Sequence, residues 1–455
     1  MTMEGRLHGS VRLPLSKSES QRALMIAAYG GFLTSSSNDS WDLSAAHDTV
    51  LLQERLRMIL AADGAEHADV WEGAGVRDGS GRSESAVLVD CEDAGTVARF
   101  LLPLLAGRPG TWLVTGTPRL CQRPMAPLVK ALRQLGADIE SLGPEGMLPL
   151  RVQGRPLRGG ALTLDASQSS QFASALLLAA PMWEEGLQLH LEGPVASRPY
   201  LDMTLAMMRQ AGAEVRSAAS EVIAVLPKPY QPCRFHIAAD WSAASYWYEL
   251  AALDAPCHLL LEGLRPSSLQ GDAVVAEWFE RLGVHTAFDD RGAVLTSDPG
   301  FGGAPMEASL QPTAFGPPSL AVPNPPLAFH FEQHPDLFPA VLVACVALHR
   351  SAVFTGIRNL STKESDRVHS MITELSKLYT FINIIEDDRI MIQESRSIFN
   401  QNDDCVVSIE TYQDHRVFMA LAPLKTRFPG LVIRHPEVAD KSYPGYWREL
   451  ETLIG

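Results

Sequence analysis

Seven basic side chains stand where helical stretches begin. They are Lys17 and Arg22 in "LPLSKSESQRALMIAA", Arg123 in "LCQRPMAP", Lys363 and Arg367 in "TKESDRVHS", Arg416 in "TYQDHRVFMAL" and Lys441 in "DKSYPGYW". A helix N-terminus carries partial positive charge, so cations are disfavoured there. Several at equivalent entrances repel one another unless anions lie among them. The pattern predicts a site for more than one phosphate or carboxylate group. Other polar residues share these entrances. Ser18 follows Lys17, Ser169, Ser170 and Gln171 precede "FASALLLAA", and Ser197 and Tyr200 lie in "SRPYLD". Taken alone, the 169–171 trio reads as ordinary helix capping, and so does Asp336 in "HPDLFPAV". Gly95 in "DAGTVARF" permits close backbone approach to a ligand.

The elements that must position these residues repeat. A short strand, a polar kink and an apolar helix recur in "VRLPLSKSESQRALMIAA", "VLVDCEDAGTVARFLLPLL", "LTLDASQSSQFASALLLAA", "FHIAADWSAASYWYELAAL", "FHFEQHPDLFPAVLVACVAL" and "SIETYQDHRVFMALAPL". An amphipathic helix follows each copy, as in "RPMAPLVKALRQLGADIES" and "KESDRVHSMITELSKL". The period is roughly 75 residues, longer than solenoid or propeller repeats. The first helix of each unit is apolar all round and should be buried; the second should keep a solvent face. Six such units, grouped three and three, predict an α/β protein of two similar domains. The entrances of their buried helices would share a common end. Ser16 with Glu19, and Ser18 with Gln21, are both spaced as capping boxes, which places the first helix start near residue 17.

Bulk properties exclude other classes. The chain has 455 residues, 46% of them hydrophobic, enough for more than one core. A net charge of −15 with no basic tract argues against nucleic-acid binding by bulk charge. No stretch reads as a signal peptide or membrane span, so a cytoplasmic protein is expected. The six cysteines (91, 121, 233, 257, 345 and 405) have no CxxC spacing, and the histidines, His334 and His369 among them, lack HxxxH or HExxH spacing. No metal site is expected. "EGAGVRDGSGR" precedes a strand rather than opening a helix, so it reads as a hairpin turn and not a phosphate loop. The Pro-rich stretch at 300–326 reads as a surface insertion.

In order along the chain, "LPLSKSESQRAL", "DAGTVARF", "RLCQRP", "SSQFASALL", "SRPYLD", "PDLFPAV", "KESDRVHSM", "TYQDHRVFMAL" and "KSYPGYW" resemble the motifs of the 3-phosphoshikimate 1-carboxyvinyltransferase (EPSP synthase) family. The resemblance covers essentially the whole chain. It implies two domains of three βαβαββ units each, the enolpyruvyl transferase prism, with residues 16–238 in one domain and 1–15 with 239–455 in the other. The active site would lie in the cleft between them. It implies enolpyruvyl transfer from phosphoenolpyruvate to the 5-hydroxyl of shikimate 3-phosphate, with no cofactor, no metal, and a monomeric enzyme. Asp336 would be the base, Glu364 and Lys17 would serve proton transfer at C3, and His415 would support it. Lys17, Gly95, Arg123, Gln171, Arg367, Arg416 and Lys441 would bind phosphoenolpyruvate. Ser18, Arg22, Ser169, Ser170, Gln171, Ser197, Tyr200, Asp336, Asn359 and Lys363 would bind shikimate 3-phosphate.

The sequence departs from the family pattern in places. Asp93 stands where Asn is usual, which puts a carboxylate near the expected phosphoenolpyruvate site. Phe100 follows Arg99 where Pro or Leu is common, and Glu19 and Gln21 are unusual in the first motif. Two rival readings stay in view. One is the sister transferase acting on UDP-N-acetylglucosamine, which uses a reactive Cys in a mobile loop; Cys121 falls in that region but within the shikimate-type "RLCQRP". The other is a non-catalytic paralogue that binds a phosphorylated metabolite.

Overall fold

The computed structural model describes residues 7–33, 41–61, 70–71, 86–218, 221–297, 325–386, 388–398 and 406–455. The turn expected over 72–82, nearly all of the Pro-rich stretch, and Cys405 lie outside the described residues.

Among the described residues the helices fall in six pairs along the chain. They are α1 (Lys17–Tyr29) with α2 (His47–Ala61), and α3 (Gly95–Gly107) with α5 (Ala126–Gln134), the short α4 (Pro118–Cys121) lying between these last two. Then come α6 (Ser170–Ala179) with α7 (Arg198–Gln210), and α8 (Trp241–Leu253) with α9 (Val275–Glu280). Last are α10 (Phe338–Ala347) with α11 (Arg367–Leu375), and α12 (His415–Leu421) with α13 (Tyr446–Ile454). The first helix of each pair is the apolar one. Every residue of α8 and α10 is buried, and α3 is buried from Val97 to Ala106. The second helices bury one stripe. In α11 that stripe is Arg367, Ser370, Met371, Glu374 and Leu375, positions three and four apart on one face.

Among the described residues four sheets share one topology: a parallel pair of strands flanks the buried helix, and an antiparallel hairpin follows the amphipathic one; around α12 only the parallel pair Val407–Ile409 and Leu431–Ile433 is present. The strands Ala86–Asp90 and Gly110–Thr115 are parallel around α3, and the second pairs antiparallel with Leu150–Gly154. The same order holds around α6, where Gly160–Asp165 and Leu187–Glu192 are parallel, and around α10, where Leu327–His330 and Ala352–Thr355 are parallel. The α8 unit takes its first strand from the chain start, because Leu7–Arg12 runs parallel to Cys257–Glu262.

Apolar side chains sort into two cores. One runs from Ala23 to Ile237; the other joins Leu7, Val11 and Leu13 to residues Ala239 through Leu450. The chain passes between them twice, side by side. Leu15 and Ala239 form an antiparallel bridge, Ser16 N–H donates to Ala238 O, and Asp240 N–H donates to Pro14 O.

Helix α1 starts at Lys17, with Ser16 as its cap accepting from Glu19 N–H at 3.3 Å. The Ser18–Gln21 box does not form, and Arg22 falls in the second turn. The Ser16–Glu19 box forms only on the serine side. Glu19 is buried and turns its carboxylate to the crossing instead, accepting from Ala238 N–H (3.1 Å) and Gln270 Nε2 (2.9 Å).

Candidate active site

One polar cavity gathers helix entrances from both halves. From the first half it is lined by Lys17, Ser18 and Arg22 of α1, Asp48 of α2, Gly95 and Thr96 of α3, Arg123, the 168–171 turn, and Ser197 with Tyr200 at α7. From the second half come Pro335, Asp336, Asn359, Lys363, Glu364, Arg367, His415 and Arg416. Several of these turns hold non-glycine residues in the left-handed region: Glu92 before α3, Ser197 before α7, and Tyr412 and Gln413 before α12. Each such residue costs about 1–3 kcal/mol, a cost that recurs where a binding site needs an abrupt turn.

Arg367 is the hub of the site. Its side chain is buried, and its guanidinium spans three carboxylates: Asp336 at 3.0 Å, Glu364 at 2.8 Å and Asp414 at 2.9 Å. Arg416 donates to the other oxygen of Asp336 at 2.8 Å, and Tyr200 Oη lies 3.2 Å from that oxygen. Asp336 sits in a short turn, Pro335–Leu337, and its carboxylate meets these side chains rather than capping α10. Burial alone would raise its proton affinity, but Arg416, Lys363 and Arg367 outweigh burial and hold it well below the usual carboxylate range. Glu364 is depressed in the same way: burial raises it, while Arg123, Arg367 and Lys441 lower it further. Burial brings the Lys363 ammonium down to about 8 despite the pull of Asp336.

The remaining cations are also partnered. Lys17 Nζ lies 2.9 Å from Asp48, and Arg123 lies 3.4 Å from Glu364. Arg22 donates to Thr204 Oγ1 (2.7 Å), Ser18 O (2.9 Å) and Tyr200 O (3.0 Å). The expectation that the seven cations await external anions is therefore corrected in part: Asp48, Asp336, Glu364 and Asp414 already neutralise several of them. Asp48 is the residue that sequence reasoning missed. Its signal was its place at the start of α2, the entrance equivalent to those already counted. The 169–171 trio both caps and lines: Ser169 Oγ accepts from Gln171 N–H at 3.2 Å, and the Gln171 amide bridges Arg99 NH1 (2.5 Å) and Thr96 Oγ1 (3.0 Å).

Helix α3 has no side-chain cap, and a Cβ at Gly95 would fall 2.8 Å from Arg123 NH1 and 3.0 Å from Arg99 NH1. Glycine is what lets the Arg123 guanidinium lie on this turn. His415 is buried, with neither ring nitrogen hydrogen-bonded among the described residues. Burial, with Lys17 and Arg416 nearby, pushes it well below 6.5, so the imidazole is neutral at pH 7. Lys441 is the one expected site residue that does not line the cavity; its ammonium lies against Asp48 and Asp93. Cys121 is outside the lining too, its thiol 3.5 Å from Gly116 O.

The family model for EPSP synthase (3-phosphoshikimate 1-carboxyvinyltransferase) matches residues 1–450. The chain belongs to the EPSP synthase family. Within that family, a 3-phosphoshikimate 1-carboxyvinyltransferase of Bacteroides fragilis (strain YCH46) is 36% identical over 450 residues, covering 99% of this chain and 96% of the relative. One from Syntrophobacter fumaroxidans is 32% identical over 448 residues, covering 98% and 97%. In fold the chain resembles the EPSP synthase of Acinetobacter baumannii, with a TM-score of 0.66 at 22% identity over 99% of this chain and 96% of that one. It also resembles the enolpyruvyl transferase NikO of Streptomyces tendae, with a TM-score of 0.63 at 15% identity over 99% and 95%. The two-domain enolpyruvyl transferase fold that the resemblance implied, in keeping with the repeats, is therefore the fold of this family member. No helix among the described residues is long and apolar enough to cross a membrane.

Proposed function

We propose that the chain transfers the enolpyruvyl group of phosphoenolpyruvate to the 5-hydroxyl of shikimate 3-phosphate, releasing phosphate. The observation that carries this reading is the convergence of Asp336, Glu364 and a ring of cations on one cavity in a chain that matches the family end to end. The reading includes the domain boundaries at 15/16 and 238/239, a cytoplasmic location and a monomeric enzyme.

Asp336 accepts the proton of the 5-hydroxyl as that oxygen attacks C2 of the enolpyruvyl group. It is ionised at neutral pH, and the cations that keep it so also weaken it as a base until substrate anions offset them. Arg367 and Arg416 fix both of its oxygens. Glu364 and Lys17 serve proton transfer at C3. Glu364 is ionised because cations surround it. A phosphate arriving among Arg123, Arg367, Arg416 and Lys17 offsets those cations and raises the proton affinity of Glu364, coupling its protonation to binding. His415, being neutral, supports the developing charges as a hydrogen-bond partner. Loss of phosphate from the tetrahedral intermediate, with one C3 proton returned to the Glu364–Lys17 pair, restores the C2–C3 double bond and completes the addition–elimination. Lys441, Gln171 and Gly95 complete the phosphoenolpyruvate side. Shikimate 3-phosphate is held by Ser18, Arg22, Ser169, Ser170, Gln171, Ser197, Tyr200, Asn359 and Lys363.

Gly95→Ala tests one part of this arrangement. The added methyl displaces Arg123. With the Arg123 guanidinium moved off this turn, a rise of about tenfold in KM for phosphoenolpyruvate, about 1.4 kcal/mol of binding, is the expected result. Steady-state kinetics check it, and an unchanged KM would remove Arg123 from that role. Lys363 gives a pH prediction. Its ammonium loses its proton above about 8, so KM for shikimate 3-phosphate should rise as pH increases through that value. In Lys363→Arg the KM should stay flat over the same range, because a guanidinium keeps its charge. An identical rise in both proteins would contradict the assignment.

The whole reading is tested by phosphate release from phosphoenolpyruvate with either acceptor. Release with shikimate 3-phosphate is expected. Release only with UDP-N-acetylglucosamine would overturn the reading, and release with neither would favour a metabolite-binding paralogue.

A further inference from the structure

Lys441 ends a short turn, Pro436–Lys441, in the second half of the chain, yet its partners all belong to the first half. Its Nζ lies 2.6 Å from Asp93 Oδ1 and donates to Asp93 O at 3.2 Å. It also lies 3.3 Å from Asp48 Oδ1. That third contact is an ion pair without hydrogen-bond geometry, since Asp48 Oδ1 is buried with no hydrogen-bond partner among the described residues. The ammonium thus sits between the two carboxylates, hydrogen-bonded to Asp93 and ion-paired to Asp48, and of the three residues only Asp48 lines the cavity. An ammonium has three N–H donors, and Asp93 engages it through both its carboxylate and its main-chain oxygen. The Lys441 side chain is 7% exposed and that of Asp93 is 39% exposed, so the acidic half of the pair opens to solvent.

We propose that Asp93 sets the affinity for phosphoenolpyruvate by acting as an internal competitor for Lys441. Its carboxylate holds the ammonium out of the cavity until an anionic group of the substrate takes its place. This inference rests on the reading of Lys441 as a phosphoenolpyruvate ligand. The exchange swaps one carboxylate for a phosphate or carboxylate of the substrate, with no bond made or broken. It explains why Lys441, alone among the expected ligands, stands outside the lining. An amide at position 93 would keep the loop but surrender the charge, leaving the ammonium held by Asp48 alone at the edge of the cavity.

The test is a double-mutant cycle read as KM for phosphoenolpyruvate at saturating shikimate 3-phosphate. A partly exposed ion pair is worth up to about 1 kcal/mol, so Asp93→Asn should lower that KM by about two- to fivefold. Lys441→Gln should raise it, and in that background Asp93→Asn should have no further effect. An unchanged or raised KM in Asp93→Asn, with Lys441→Gln still raising it, would overturn the competitor role alone. The same fall in both backgrounds would also overturn it, because Asp93 would then act by its charge and not through Lys441. If Lys441→Gln left KM unchanged, the ligand reading would fall and the inference with it.

Discussion

Replacing Asp336 by Asn should lower kcat by about 10²- to 10⁴-fold, the range for loss of a positioned general base. Binding of shikimate 3-phosphate should survive. The substitution keeps the volume and one acceptor oxygen, so the hydrogen bonds from Arg367, Arg416 and Tyr200 are in part retained. What is lost is the carboxylate that those cations keep ionised. Because Arg367 also contacts Glu364 and Asp414, it stays anchored, and the fall in kcat reports the missing base rather than a collapsed site. Titration calorimetry with shikimate 3-phosphate, set beside turnover, separates the two effects. Normal turnover would remove Asp336 from the base role; loss of binding with loss of turnover would make it a ligand first.

The second large effect is expected at Arg367. Its side chain is 2% exposed and lies between three carboxylates, of which Asp414 is fully buried. Removing one partner of a buried charge cluster leaves the others uncompensated, at about 3–5 kcal/mol. Arg367→Ala should therefore lower the melting temperature by roughly 6 to 20 °C, at about 2–4 °C per kcal/mol for units of this size. Activity should fall as well, since Asp336 and Glu364 lose the group that orients them. Arg367→Lys should recover little, because a single ammonium cannot span three acceptors that a planar fork reaches together. Differential scanning calorimetry of the two variants decides this. A melting temperature within a degree of wild type would contradict the hub described here.

Much of this was legible in the sequence, and the physical reason is locality. The six buried helices were readable because all-round apolar runs behind a polar kink signal burial whatever the chain around them does. Lys17, Arg123 and Arg416 could be assigned to one site because they occupy equivalent entrances of a repeated unit. Which carboxylate pairs with which cation was not legible. Asp48 lies 31 residues from Lys17, and Asp414 lies 47 from Arg367, so only the packed fold brings them together. Nor can a periodicity report where a long side chain turns. Glu19 was spaced to complete a capping box, and its carboxylate went instead to Ala238 and Gln270 at the crossing. Lys441 was expected at a helix entrance, but it ends the short turn Pro436–Lys441, and its ammonium lies between Asp93 and Asp48 of the other half.

Enolpyruvyl transfer itself is tested by the identity of the products. Wild-type protein is incubated with phosphoenolpyruvate and shikimate 3-phosphate, and the mixture is followed by phosphorus and proton NMR. The account predicts inorganic phosphate and a 5-enolpyruvyl ether of shikimate 3-phosphate appearing in equal amounts. Phosphate without the ether, or no consumption of either substrate, would contradict it.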